Sequence, residues 1–248
     1  MNRLPVTLLA SALAFAGAAS AEPLAAGGGY YASDDSERFS SRRTIVDGMA
    51  GYSHLENRTG VRYVDYAFSQ DGWHRRGEQL RFVANRIDRR TADGWNIEAG
   101  VFRQSSHELA TLDASYRKTL SSGTALEAFA SRDFVETRNA LDNGVHFNFA
   151  GASADLPLNP KLTLVGMLGL QDFSDDNQRR HARTRLIYQP VPDLGLTLQL
   201  RYRYYDNSRT GGPRYYFNPD RYQEGMLAAG MRQRIGHWRT ALTAGIGQ

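Results

Sequence analysis

The chain contains no cysteine, so it can build neither a disulfide framework nor a thiolate metal or redox centre. Lysine is nearly missing as well: Lys118 and Lys161 are the two present, and arginine supplies the rest of the 30 basic residues. Past the first residues no run approaches the ~20 apolar positions that a membrane helix needs. No Pro/Ser/Gly-rich stretch divides the sequence, which predicts a single mature domain. There is also no clustered basic helix and no RNP-type motif. A net charge of +4 spread over many segments therefore does not read as nucleic-acid binding.

What is present begins with an export signal. Arg3, the apolar stretch Val6 to Ala16 and the small residues Ala19-Ser20-Ala21 read as a secretory signal peptide over 1–21, leaving 22–248 as the mature chain. A mean hydropathy of −0.51 would suit a soluble protein, but a membrane barrel turns only half of each strand to lipid and is polar on average.

Period-2 alternation carries the fold reading. In Leu194 to Tyr205, Leu194, Leu196, Leu198, Leu200, Tyr202 and Tyr204 share one face, and Thr197, Gln199, Arg201 and Arg203 share the other. Leu162, Leu164, Leu168 and Leu170 mark a second outward face. Ala110, Leu112, Ala114 and Tyr116 oppose Thr111, Asp113, Ser115 and Arg117. Val145, Phe147 and Phe149 are read as outward against His146 and Asn148, and the pattern weakens from Gly60 to Phe68. Further candidates near 26–34, 40–54, 77–88, 93–103, 124–134, 182–189, 223–234 and 237–247 bring the count to about 13. The class expected is all-β, a transmembrane antiparallel β-barrel of about 13–14 strands in the cell outer membrane.

Connections near 56–57, 90–93, 121–123, 157–160, 190–193 and 236 read as short. Those at 34–39, 70–77, 136–143, 172–181 and 206–221 read as longer, with 104–107 the short exception, so the loops are expected to sort by membrane side. Single-chain bacterial barrels have even strand numbers, so an odd count predicts that one strand, or three, is missing at the C-terminal end. A miscounted early strand, or a plug at 26–34, restores parity equally.

No spacing forces a nucleophile, a base and an orienting acid together. Ser105-Ser106-His107-Glu108 sits at a tight connection and Ser53-His54 is no more informative, so no catalytic residues are assigned. Ser33-Asp34-Asp35 and Ser174-Asp175-Asp176 lack the ligand spacing of a calcium loop and read as solvated turns, leaving no metal and no cofactor. Carboxylates there would at most bridge divalent ions to lipopolysaccharide.

The inward face is more telling. Arg183, Arg185, Arg201 and Arg203 fall on adjacent strands and are assigned to the lumen wall, with Glu98, Asp113, Glu127 and Asp133 on other walls. A polar lumen of mixed sign passes or holds a hydrated ligand, unless the charges pair and fill it. Tyr215, Tyr216, Asn218 and Tyr222, in the longest loop, have the aromatic and hydrogen-bonding groups that suit sugar rings.

The stretch Tyr215-Tyr216-Phe217-Asn218-Pro219-Asp220-Arg221-Tyr222 is followed by a strand from Met226 to Arg234 and a hairpin partner opening Trp238-Arg239-Thr240-Ala241-Leu242. It resembles the C-terminal barrels of exopolysaccharide export porins, among them the poly-N-acetylglucosamine porin, the outer-membrane component of cellulose synthase and YaiO-like barrels. Gly29-Tyr30-Tyr31-Ala32-Ser33-Asp34-Asp35 is similar to their opening strand. The resemblance implies a passive channel for a growing polysaccharide, and no enzyme. The chain departs from the larger porins in lacking their helical array of ~34-residue repeats, so a stand-alone YaiO-like barrel with a separately encoded periplasmic scaffold fits best. The other partners expected are outer-membrane lipids and lipopolysaccharide. Two alternatives remain: a lipid-modifying barrel enzyme, and a structural or adhesive barrel with a plugged lumen.

Overall fold

The computed structural model describes residues 23–105, 107–191, 194–209 and 215–248; the signal peptide read at 1–21 and Ser106 lie outside the described residues. Thirteen strands follow one another: β1 (Ala25–Asp34), β2 (Ser40–His54), β3 (Asn57–Gln70), β4 (Trp73–Ile87), β5 (Gly94–Gln104), β6 (His107–Thr119), β7 (Ala125–Phe134), β8 (His146–Asn159), β9 (Leu162–Phe173), β10 (Gln178–Tyr188), β11 (Leu196–Asn207), β12 (Arg221–Ile235) and β13 (Trp238–Gly247). One short helix, α1 (Arg138–Asn143), stands between β7 and β8. Each strand pairs antiparallel with the next in one sheet whose order is the chain order, as an up-and-down barrel requires. Among the described residues no ladder joins β1 to β13.

Alternation sets the two faces. Leu80, Phe82, Leu112, Leu168, Leu170, Leu198, Leu200 and Leu227 stand exposed on the outer face, an apolar band of the kind that lipid covers. The described residues include no helix long and apolar enough to cross a membrane.

Three sequence expectations are corrected. On β8 the inward residues are Phe147, Phe149, Gly151, Ser153 and Asp155, whereas Asn148 lies outward beside Arg132. The cause is register: Asp155 is ion-paired with Arg117 at 2.7 Å inside the barrel, and a period of 2 then turns every odd residue of β8 inward. Phe149 accordingly packs 5.2 Å from Phe129 and 5.1 Å from His181. The connection read as 70–77 is a two-residue turn, Asp71 and Gly72, both at positive φ, closing a ladder that starts at Gln70 and Trp73. The loops also sort less cleanly by side than expected. At one end 135–145 is long while 71–72 is tight; the other end mixes two-residue turns with the longer 88–93.

The core lies inside the barrel at the long-loop end, on the β2 to β7 side. Phe39, Tyr66, Phe68, Trp73, Phe102, Phe134 and Leu141 of α1 form one buried cluster, in which Phe102 and Phe134 stack at 4.0 Å and Tyr66 meets both edge-on. Thr137 caps α1 by accepting from the Ala140 N–H, and Gly144 ends it in the left-handed region at φ 65. A Cβ at Gly144 would lie 2.4 Å from the His107 ring, so only glycine fits this close approach.

Candidate functional site

The lumen has two unlike halves. On β2 to β8, inward charges neutralise one another. Arg62 bridges Asp47 at 2.7 Å and Glu98 at 2.8 Å, Arg81 bridges Glu98 at 3.3 Å and Asp133 at 3.0 Å, and Arg117 joins Asp155 and Glu127. Nearby, Tyr66 donates to Gln79 at 2.7 Å and Gln79 donates to Thr111 at 2.9 Å, a buried polar relay with satisfied partners. Of the acids expected on these walls, Glu98, Glu127 and Asp133 are therefore paired with arginine, and Asp113 faces Asn96. The charges of this side are thus largely paired with one another.

On β9 to β12 the lumen opens. A cavity of about 590 Å³ at the long-loop end lies between the two halves, with Phe173, Arg179, Arg203, Tyr205, Tyr216 and Tyr222 on one side and Arg43, Tyr66, Asp133, Phe134, Glu136 and Phe147 on the other. Tyr216 stacks on Phe173 at 4.3 Å and Tyr222 on Tyr205 at 4.8 Å, while the Arg179 guanidinium lies 4.5 Å over the Tyr205 ring. Next to it is a second cavity of about 430 Å³, whose wall includes Arg183, Arg185, Arg201, Arg203, Glu224 and Met226. Arg203 lines both. The Arg203 side chain is 44% exposed, against 18% and 16% for the paired Arg62 and Arg81, so solvent reaches Arg203 more than it reaches those two.

The structure thus brings all four assigned arginines together. Register sets Arg183 opposite Arg203 and Arg185 opposite Arg201, like charges facing like across one ladder. Their one carboxylate neighbour among the described residues is Glu224, 3.8 Å from Arg203. Arg201 donates to Gln199 instead.

Of the loop residues, Tyr216 and Tyr222 face the first cavity, whereas Tyr215 and Asn218 hold the loop in place. The Tyr215 carbonyl accepts from the Thr137 hydroxyl, and the Asn218 side chain ties to Asn177 at 3.1 Å and to the Arg209 carbonyl at 2.6 Å. Burial pushes the Tyr216 phenol up; its hydroxyl donates to Asp175 at 3.0 Å and accepts from Asn177 at 3.1 Å. On the far side Glu136, in the loop before α1, is likewise raised by burial, an effect that its contact with Arg43 opposes.

Sequence reading missed Arg179, Tyr205, Phe173 and Asn177. The first two share the inward parity of Arg183 and Arg203, so extending the β10 face by four residues and the β11 face by two would have found them. Asn177 carries no such signal. It is buried in the turn after β9, donates to Asn207, Tyr216 and Asn218, and accepts from the Arg209 N–H, so one amide organises the loop.

The remaining candidates take structural parts. Asp35 accepts from the N–H groups of Glu37 and Phe39, and Asp176 pairs with Arg209. Among the described residues no group of His, Asp and Glu side chains is placed to hold a metal. His54 contacts Glu56 and the Ser53 hydroxyl donates to the Asn57 carbonyl, while Glu108 pairs with Arg103.

No family model and no curated protein matches the chain. Among solved structures, one described as a bacterial polysaccharide outer membrane secretin superposes with a TM-score of 0.62 at 17% identity, covering 90% of this chain and 77% of that one. At that identity the likeness is one of fold: an outer-membrane-type antiparallel β-barrel.

Proposed function

We propose that the protein is a passive outer-membrane channel that conducts a hydrated polysaccharide along its β9 to β12 wall. The observation that carries this reading is the meeting of the two cavities at Arg203, which makes a continuous path past the four facing arginines. Rings at the mouth, Tyr216, Tyr222 and Tyr205, give the flat faces on which sugar C–H surfaces pack, and the arginines offer donors to hydroxyls. The fold likeness to a polysaccharide outer membrane secretin favours the same substrate class. Transport of this kind needs no bond-breaking step, so we read the protein as a conduit and not an enzyme. Outer-membrane lipids would surround its apolar band, and a periplasmic scaffold would deliver the glycan.

Purified protein in planar bilayers should show ohmic conductance with anion preference, and R201Q/R203Q should shift the reversal potential towards cation selectivity. Unchanged selectivity would remove these arginines from the path. A second reading has its own support: the aromatic cluster beneath α1 fills one half of the loop end, as a structural or adhesive barrel with a plugged lumen would require. Complete absence of conductance would favour it.

A further inference from the structure

We infer that the glycan handled by this lumen is acidic, carrying carboxylates along its length, and that Arg183, Arg185, Arg201 and Arg203 are its binding site; the inference rests on the conduit reading and narrows it to a substrate class. In this same barrel Arg43, Arg62, Arg81 and Arg117 each face a carboxylate, so internal neutralisation is the rule on the β2 to β8 side. On β10 and β11 arginine opposes arginine at 183 and 203 and again at 185 and 201, as Arg62 opposes Arg81 on β3 and β4, but here Glu224, 3.8 Å from Arg203, is the one carboxylate in ion-pair reach of the four among the described residues. Like charges directly opposite destabilise a ladder, so the arrangement costs the fold something that a neutral ligand would not recover. A ligand bringing negative charge would.

The cavity in front of these pairs supplies the remaining requirements. Its volume of about 430 Å³ leaves room for a sugar-sized group, and Val165, Met167 and Met226 give it apolar surface beside the guanidinium groups. A sugar acid presents just that combination, C–H faces next to a carboxylate. Guanidinium binds carboxylate through two parallel hydrogen bonds, which lysine cannot do. The two arginine rungs lie two residues apart, about 7 Å along the strands, so successive charges of one chain can be held at once. Inorganic phosphate or another small oxyanion shares the charge but not the apolar faces or the repeat.

The test is current block of the purified barrel in planar bilayers by three probes: oligogalacturonate, a neutral cello-oligosaccharide of equal length, and inorganic phosphate at equal charge concentration. Oligogalacturonate should block at the lowest concentration, and R183Q/R201Q should raise its half-blocking concentration about tenfold by removing one arginine from each rung. R185Q alone provides the same comparison should the double variant not refold. Equal block by the neutral oligosaccharide overturns the acidic class and leaves the channel standing. Phosphate acting as strongly as oligogalacturonate overturns the glycan. Without any conductance the channel reading falls, and calorimetric titration of the detergent-folded protein with oligogalacturonate then decides the site alone: binding lost in R183Q/R201Q sustains it, and no binding overturns it.

Discussion

Asn177 shows how much can hang on one side chain. Its amide serves Asn207, Tyr216, Asn218 and the Arg209 backbone from a buried position, so N177A leaves several groups without partners at a cost of about 1–3 kcal/mol. The expected result is local: limited proteolysis should cut within 208–220 in N177A while the strands stay protected. Asp88 gives a pH dependence. It accepts from the Arg90 and Thr91 N–H groups, which hold its carboxyl below the ordinary value of 3.8. The folded state thus favours the ionised form, so its stabilising effect is fully present above pH 3.8 and fades as pH falls through the lowered folded value. The temperature of heat-modified gel migration should differ between wild type and D88A at pH 6 and converge as the pH falls below 3.8 and through the lowered folded value. That Arg183, Arg185, Arg201 and Arg203 share one face was legible from parity alone, because a period of 2 needs no tertiary knowledge. Asn177 was not, because an asparagine in a polar turn looks the same whether it points to solvent or anchors a neighbouring loop.

Strands reveal where pattern reading holds and where it fails. β11 reads without ambiguity since leucines face out and arginines face in. β3 reads weakly for a physical reason: Val64, Tyr66 and Phe68 point inward into the aromatic cluster while Asp65 and Ser69 stand on the other face, so the apolar-out, polar-in alternation breaks down. β8 reads backwards because its outer face is made of Ala150, Ala152 and Ala154, and the larger phenylalanines draw the eye to the wrong side. The inward aromatics should dominate stability. F102A removes a ring that is 3% exposed and stacked on Phe134, with an expected loss of about 3–5 kcal/mol. Urea unfolding in lipid vesicles should show a clearly smaller loss for L168A, whose side chain stands on the outer face at 69% exposure.

At the scale of the molecule the all-β class and the strand number were legible, because hydrophobic period and turn residues are local signals. The division of the lumen was not. It depends on which strands face each other across the barrel, as when Arg62 on β3 reaches Glu98 on β5 and Arg81 on β4 reaches Asp133 on β7. Such pairs lie 36 and 52 residues apart, and nothing in a single sequence links them. Loop sorting failed in part for a related reason, since the two-residue turn at 71–72 occupies the same end as the long connection 135–145.

The facing arginine pairs of β10 and β11 also make the barrel sensitive to ionic strength. Their mutual repulsion acts over a Debye length of ~30 Å at 0.01 M salt and only ~8 Å at 0.15 M. Dissolved ions therefore act as a structural component of this wall, and the temperature of heat modification should rise with salt in the wild type and hardly at all in R183Q/R201Q. Dilution would loosen the very strands that line the path, coupling the openness of the lumen to the osmotic state of the surroundings.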